Sequence, residues 1–152
     1  MRLDRAGLSL RGGFHPGPDD RVPKDTVVGR PGTVLLVGVV GGKAWETFHA
    51  SAPDCPHPLD TWTRHVVDPV AEAVGGIAIH PNDRPFWPFQ QWAKRSEPVF
   101  ESPLGLLIHP EYGLWHAYRA AILVPDAWTL PFREGAQSPC ETCADKPCLS
   151  TC

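Results

Sequence analysis

The sequence predicts an α+β fold: a three-layer-like front domain with a small mixed sheet and a βαβ unit, followed by an irregular cysteine-rich tail. The run TVLLVGVV at residues 33–40 is apolar and β-branched, which is typical of a strand buried on both faces. An amphipathic helix pattern follows this run, and a short apolar strand, GIAIH, ends at residue 80. Four of the five cysteines lie within residues 140–152, and they predict a ligand-binding tail.

Composition limits the possible functions. The chain has 152 residues, enough for one domain with its own core, and 42% of them are hydrophobic. The net charge is −3 and no segment carries a basic stripe, so we expect no nucleic-acid partner. No apolar run approaches the ~20 residues of a membrane span, and no secretory signal opens the chain. We therefore expect no membrane partner and a cytoplasmic, reducing location.

Four segments are predicted along the chain. The first 31 residues are rich in Gly, Pro and charge, and they predict an irregular arm. An α+β domain follows at residues 32–125. Residues 126–139 show no periodicity and are interpreted as a linker. The cysteine motif occupies residues 140–152.

Within the domain, GGKAWETFHAS predicts a short helix, and PLDTWTRHVVDPVAEAVGG predicts a longer one that Pro69 kinks or splits. Strand, helix and strand in this order predict a right-handed parallel crossover between residues 33 and 80. The predicted inward face of the longer helix comprises Leu59, Trp62, Val66, Val70 and Val74.

A further short helix is predicted after Pro88, with Phe89, Trp92 and Ala93 facing inward. GLLIH at residues 105–109 and residues 115–124 then flank PEYG, a sequence typical of a turn. They predict a hairpin, although apolar spacing from residue 114 to 123 leaves a helix open.

Two histidines, His109 and His116, flank the PEYG turn and are placed to face each other across it. Such a pair could hold a metal ion, but a hydrogen bond that satisfies the turn is the more ordinary role. Cys55, in the loop DCPHP, has no partner at a fixed spacing and is interpreted as a bystander.

The cysteines of the tail have the spacing C-x2-C-x4-C-x3-C: Cys140, Cys143, Cys148 and Cys152. Thiolates this close in sequence can converge on one small centre. An iron–sulfur cluster is the first interpretation, because the final C-x3-C step matches the bacterial ferredoxin run C-x2-C-x2-C-x3-C-P. A four-thiolate zinc site is the second, and a disulfide pair or an unliganded tail is the third.

The fourth cysteine has a second possible role. In two-cluster ferredoxins the last cysteine of such a run binds the other cluster. Cys140, Cys143 and Cys148 would then hold one cluster, and Cys152 would belong to a second whose other ligands are absent from this sequence. We therefore expect this chain to be the front portion of a longer protein or a truncated gene product.

These motifs resemble a known family. GLLIHPEYGLW at residues 105–115 followed by the cysteine run is similar to epoxyqueuosine reductase and its allied cobalamin-dependent reductases, including reductive dehalogenases. An uncharacterised bacterial set of 4Fe-4S ferredoxin-type proteins is more similar still, through the segments VLLVG, PLDTWTRHVV, PFQQWA, SPLGLLIHPEYGLWHAYRAA and SPCETCADKPCLSTC. The resemblance implies that residues 140–152 are part of a ferredoxin-type cluster motif. The x4 spacing between Cys143 and Cys148 differs from that of the reductase, and no residue of this sequence can be matched to a catalytic acid of the reductase.

The expected function is single-electron transfer through a 4Fe-4S cluster, with a redox protein as donor or acceptor. A reductase that uses cobalamin or a flavin, with the cluster as a relay, is the first alternative. A zinc-stapled interaction module is the second.

Overall fold

The computed structural model describes residues 3–24, 26, 29–131 and 135–151. Within them the chain combines helices with antiparallel strands. In chain order the elements are a 3-10 helix Leu3–Ala6, β1 Ser9–Phe14, β2 Thr33–Val40, α1 Lys43–Ser51, α2 Pro58–Ala73, β3 Ile77–Ile79, α3 Phe89–Ser96, β4 Phe100–Glu101, β5 Leu107–Ile108, β6 His116–Val124, α4 Pro139–Thr142 and a 3-10 helix Pro147–Leu149.

The main sheet has the strand order β1-β2-β6-β3, and all of its pairings are antiparallel. Strand β2 is central, and its residues 33–38 are buried, as the apolar run predicts. Strand β6 pairs with it from Thr33↔Val124 to Val40↔His116. The predicted α+β class is therefore confirmed, with an antiparallel sheet at its centre.

Alternating residues of the sheet build a core on each face. Leu35 and Ile122 lie on the face that packs against α1 and α2. Leu36 and Leu123 lie on the opposite face, where Trp92 of α3 covers them. The sheet is thus enclosed between two helical layers, because successive side chains of a strand point to opposite faces.

The predicted mixed sheet is wrong, because every pairing in the main sheet is antiparallel, whereas the predicted crossover does connect two parallel strands of one sheet. Strands β2 and β3 run in the same direction, but they are not neighbours, because β6 lies between them and pairs with both. The order strand–helix–strand is correct, yet local sequence does not reveal that a later strand inserts between the two.

The irregular arm predicted for residues 1–31 is wrong in its first half. Residues 3–6 form a 3-10 helix, and Ser9–Phe14 form an edge strand that pairs with β2. The strand is not predicted from its sequence, SLRGGF, because two glycines interrupt the alternation of apolar and polar residues that is typical of a strand. Gly13 is needed there, since an added Cβ would lie 2.7 Å from the Val34 carbonyl oxygen.

The predicted hairpin across PEYG is also corrected. The turn forms, and His109 and Gly113 are joined by backbone hydrogen bonds in both directions. Strand β5, however, pairs with β4, whereas β6 joins the main sheet. A two-stranded hairpin would leave the apolar residues 120–124 exposed, and the main sheet buries all five. Strand β6 also excludes the helix left open for this region.

The helices follow the sequence more closely. Helix α2 runs unbroken through Pro69 and buries Trp62 and Val66, although Val74 is exposed. Helices α1 and α3 lie where they are predicted, and α3 buries Trp92 and Ala93. No helix in the described part of the chain has the length and apolarity needed to cross a bilayer.

The predicted linker lies against the sheet. Its described residues before Pro139 form no helix or strand. The buried hydroxyl of Thr33 donates to the Asp126 carbonyl at 2.8 Å and accepts from the Trp128 N–H at 2.9 Å. Trp128 and Leu130 pack against the core next to α1 and α2.

Candidate functional site

Three of the four predicted ligands, Cys140, Cys143 and Cys148, line one pocket of about 230 Å³. Its opposite wall comes from the segment around β5 and the PEYG turn. That wall is mainly apolar and comprises Ser102, Leu104, Ile108 and Leu114. Cys140, Cys143 and Cys148 thus share one pocket, while Cys152 lies outside the described residues.

Local sequence explains how the thiols are presented. The Ser138 hydroxyl accepts a hydrogen bond from the Cys140 N–H at 3.3 Å, which caps the single turn of α4. Pro139 opens this turn, and Pro147 opens the 3-10 turn that carries Cys148. The tail predicted to be irregular thus contains two short helical turns.

The three thiols are reduced and largely accessible. Cys140 is half-buried, whereas Cys143 and Cys148 are exposed. Among the described residues, no three Cys, His, Asp or Glu side chains lie close enough together to hold a single metal ion. The tail thus brings three thiols to one pocket without gathering them around one point.

The pocket offers thiol ligands of the kind that a 4Fe-4S cluster requires. A 4Fe-4S cluster is held by one thiolate at each iron, so its ligands stand farther apart than the four thiolates around one zinc. The N–H groups of Ala144, Asp145 and Lys146 have no hydrogen-bond acceptor among the described residues. Such groups can donate to cluster sulfur. In their chemistry, the thiols and the N–H donors fit the group that the spacing predicts.

A buried polar network lies next to the PEYG turn, at the segment that forms the opposite wall of the pocket. Arg11 Nε donates a hydrogen bond to Glu97 Oε2 at 3.0 Å, and Arg11 Nη2 makes an ion-pair contact with Oε1 at 2.8 Å. The Tyr118 hydroxyl donates to the same carboxylate, and His109 Nε2 lies 3.8 Å from Oε2. The Arg11 and Glu97 side chains are only 3% and 11% exposed, so the charges compensate each other away from water.

His109 is fixed by the turn that follows it. Its Nδ1 accepts the backbone N–H groups of Glu111 at 3.1 Å and Tyr112 at 3.3 Å, and the Tyr112 ring stacks on it at 4.4 Å. The neutral imidazole therefore carries its proton on Nε2, facing Glu97. Burial lowers the pKa of His109, and burial likewise raises the pKa of Tyr112. The expected turn-satisfying hydrogen bond is confirmed.

His116 completes the link between this turn and the sheet. Its Nε2 lies 3.1 Å from the Leu107 carbonyl oxygen, and its ring meets that of His109 edge-on at 6.2 Å. Burial lowers the pKa of His116. The network therefore fixes residues 107–116, and with them the wall that faces the cysteines.

Sequence reasoning missed this network, since Arg11 and Glu97 are 86 residues apart and no local pattern connects them. Cys55 lies apart from the tail cysteines, with its thiol 3.4 Å from the Thr61 hydroxyl at the start of α2. It remains interpreted as a bystander.

No protein-family model and no curated protein sequence matches this chain. The resemblance drawn from the motifs therefore stays a prediction, and the function is argued from the site.

Proposed function

We propose that this protein binds a 4Fe-4S cluster through its tail cysteines and takes part in single-electron transfer. The observation that carries the proposal is the shared pocket, in which Cys140, Cys143 and Cys148 face an apolar wall. Thiolates are the ligands of such clusters, and an apolar wall limits the access of water, which helps to set the reduction potential.

Each part of the site has a role in this proposal. Cys140, Cys143 and Cys148 hold the cluster as thiolates, and Cys152 supplies the fourth, on this cluster or on a second one in a longer protein. The N–H groups of residues 144–146, which have no acceptor in the part of the chain that the structure describes, donate to sulfur and offset its charge. Leu104, Ile108 and Leu114 exclude water. When bound, the cluster supplies a centre that gains and loses one electron.

The cellular setting follows from the same chemistry. Free thiols must persist until iron and sulfide arrive, so we propose a reducing, cytoplasmic location. Cys143 and Cys148 are exposed, so a cluster that they hold would lie near the protein surface, within reach of a redox protein as donor or acceptor.

Oxygen-free reconstitution with ferrous iron and sulfide tests the proposal. We expect about four iron and four sulfide per chain, with broad visible absorption that dithionite bleaches. Cys140→Ser, Cys143→Ser and Cys148→Ser should each lower bound iron and sulfide several-fold. Cys55→Ser is the matched control, because this thiol lies away from the pocket, and it should retain the wild-type content.

Other outcomes identify the alternatives. Colourless protein without iron, whose tail thiols are still freely alkylated, would overturn the proposal. One zinc per chain and no sulfide would instead support the stapled interaction module. The absorption bands of cobalamin or of a flavin in protein purified without oxygen would support the reductase, with the cluster as a relay.

A further inference from the structure

A second cavity lies on the opposite side of β6 from the polar network, among α1, the start of α2 and the sheet. Its volume is about 180 Å³. None of the described tail cysteines, Cys140, Cys143 and Cys148, lines it, so a ligand in this cavity would not contact these thiols.

Three aromatic side chains, those of Trp45, Phe48 and Trp62, line this cavity together with smaller aliphatic residues. The Phe48 and Trp62 rings meet edge-on at 5.7 Å, and Trp45 packs on Phe48 at 5.6 Å. Phe48 and Trp62 are buried, but Trp45 is 58% exposed. An exposed indole beside an apolar cavity is a surface that a small apolar ligand would cover favourably.

One positively charged side chain, that of Arg119, lines the cavity. Arg119 Nη2 donates to Asp60 Oδ1 at 2.6 Å, and the side chain is 19% exposed. This ion pair orients the guanidinium. Arg119 Nε is buried without a hydrogen-bond partner among the described residues. The guanidinium therefore has donor capacity left over, and charged donors form their strongest hydrogen bonds with anionic acceptors.

The size of the cavity limits the ligand. An apolar cavity of about 150 Å³ holds one benzene molecule. A cavity of about 180 Å³ therefore accommodates one ring, or an aliphatic group of similar size, with a small polar group beside it.

From these observations we propose that the cavity binds a small carboxylic acid with a single ring or a compact aliphatic body. The apolar body lies against Phe48 and Trp62, and the carboxylate accepts hydrogen bonds from Arg119. Trp45 closes over the body at the mouth. The Asp60 carboxylate holds the guanidinium in place and disfavours ligands with two negative charges.

Phenylacetate and its neutral counterpart phenylacetamide test the proposal, because they share size and ring and differ in charge. Titrations followed by tryptophan fluorescence and by the indole N–H signals of Trp45 and Trp62 should give a Kd of about 1 mM or tighter for the acid. The amide should bind at least ten-fold more weakly. Equal affinities, or no signal change with phenylacetate at ten times that concentration, would overturn the proposal.

Variants separate the cavity from nonspecific binding. Ala117→Leu places a larger side chain into the cavity from an exposed strand position and should abolish binding of both compounds. Ala73→Leu makes the same change at an exposed position of α2 outside the cavity and should bind like the wild type. Arg119→Gln should remove the preference for the acid, and Arg119→Lys should restore part of it. Thermal unfolding checks that each variant is folded. Undiminished binding by Ala117→Leu contradicts the proposal.

Discussion

The sheet and the cysteine tail are held in different ways. Residues 33–38 of β2 are buried, whereas every described residue from 141 to 151 is exposed. The backbone hydrogen bonds of the tail, such as Leu149 N–H to the Lys146 carbonyl, join residues close in sequence. A segment with so little buried area cannot offset much conformational entropy by itself.

The difference means that the sheet and the cysteine tail depend on different interactions for their stability. The two-sided core stabilises the sheet without any ligand, and the network around Glu97 and His116 joins the wall at residues 102–114 to that sheet. Under the proposed function, the tail would gain order from the cluster that its thiols hold, since the free energy of metal binding acts as folding free energy in such segments. Changes in the core should therefore affect stability, and changes in the tail should affect the cluster.

The largest effect is expected from Leu36→Ala. Leu36 is fully buried at the centre of the sheet, and its truncation leaves a cavity, which should cost about 3–5 kcal/mol of unfolding free energy. Leu149→Ala is the same change in the exposed tail and should stay within about 0.5 kcal/mol. Urea unfolding followed by circular dichroism measures both. Similar losses for the two variants would contradict the distinction between core and tail.

Glu97→Gln is expected to rank second. It removes the charge that compensates Arg11, but the Gln amide oxygen can still accept a hydrogen bond from the guanidinium, so the loss should lie at the lower end of about 3–5 kcal/mol. Adding Arg11→Met should recover part of the loss, which a double-mutant cycle quantifies. Glu101→Gln breaks the exposed pair with Lys94 and is the control, with no resolvable change in Tm. A Glu97→Gln protein as stable as the control would show that the network does not hold the wall.

The sequence predicts elements that depend on neighbouring residues better than it predicts contacts between residues far apart in the chain. Helix α2 and strand β2 are predicted well, because their patterns lie within a few residues. Pairings are not: β6 inserts between β2 and β3, and residues 9–14 join the sheet although Gly12 and Gly13 interrupt their pattern. Both errors concern contacts between distant segments.

The candidate site divides in the same way. The spacing of Cys140, Cys143 and Cys148 predicts that they meet, and in the structure they line a common pocket. The spacing contains no information about the opposite wall, which is built by residues 102–114. The network around Glu97 likewise requires β1, α3 and β6 together, so no single segment reveals it.

A smaller effect is expected from pH. Burial lowers the pKa of His109 and of His116, so the unfolded chain binds these protons at higher pH than the folded chain does. Stability should be complete above the ordinary histidine pKa of about 6.5 and should fall as pH decreases below it. Urea midpoints measured across this range test the direction.

Replacing His109 tests whether this histidine causes the pH dependence of the unfolding free energy. His109→Gln should reduce the loss of stability on acidification, because its amide oxygen can still accept the turn N–H groups and takes up no proton. His65→Gln, at an exposed position of α2, should keep the wild-type dependence. Identical slopes for wild type and His109→Gln would remove His109 from the explanation.

The smallest effect on the fold is expected from the tail itself. Replacing Cys140, Cys143 and Cys148 together by serine removes no buried core residue, so the Tm should change by no more than about 2 °C. The same variant should fail to retain iron and sulfide. Limited proteolysis adds a separate readout: reconstitution should protect residues 141–151 in the wild type and leave the triple variant as susceptible as before. If the triple variant instead loses the sheet, the tail is part of the core's stability, and the cysteines act as structural ligands for the whole domain.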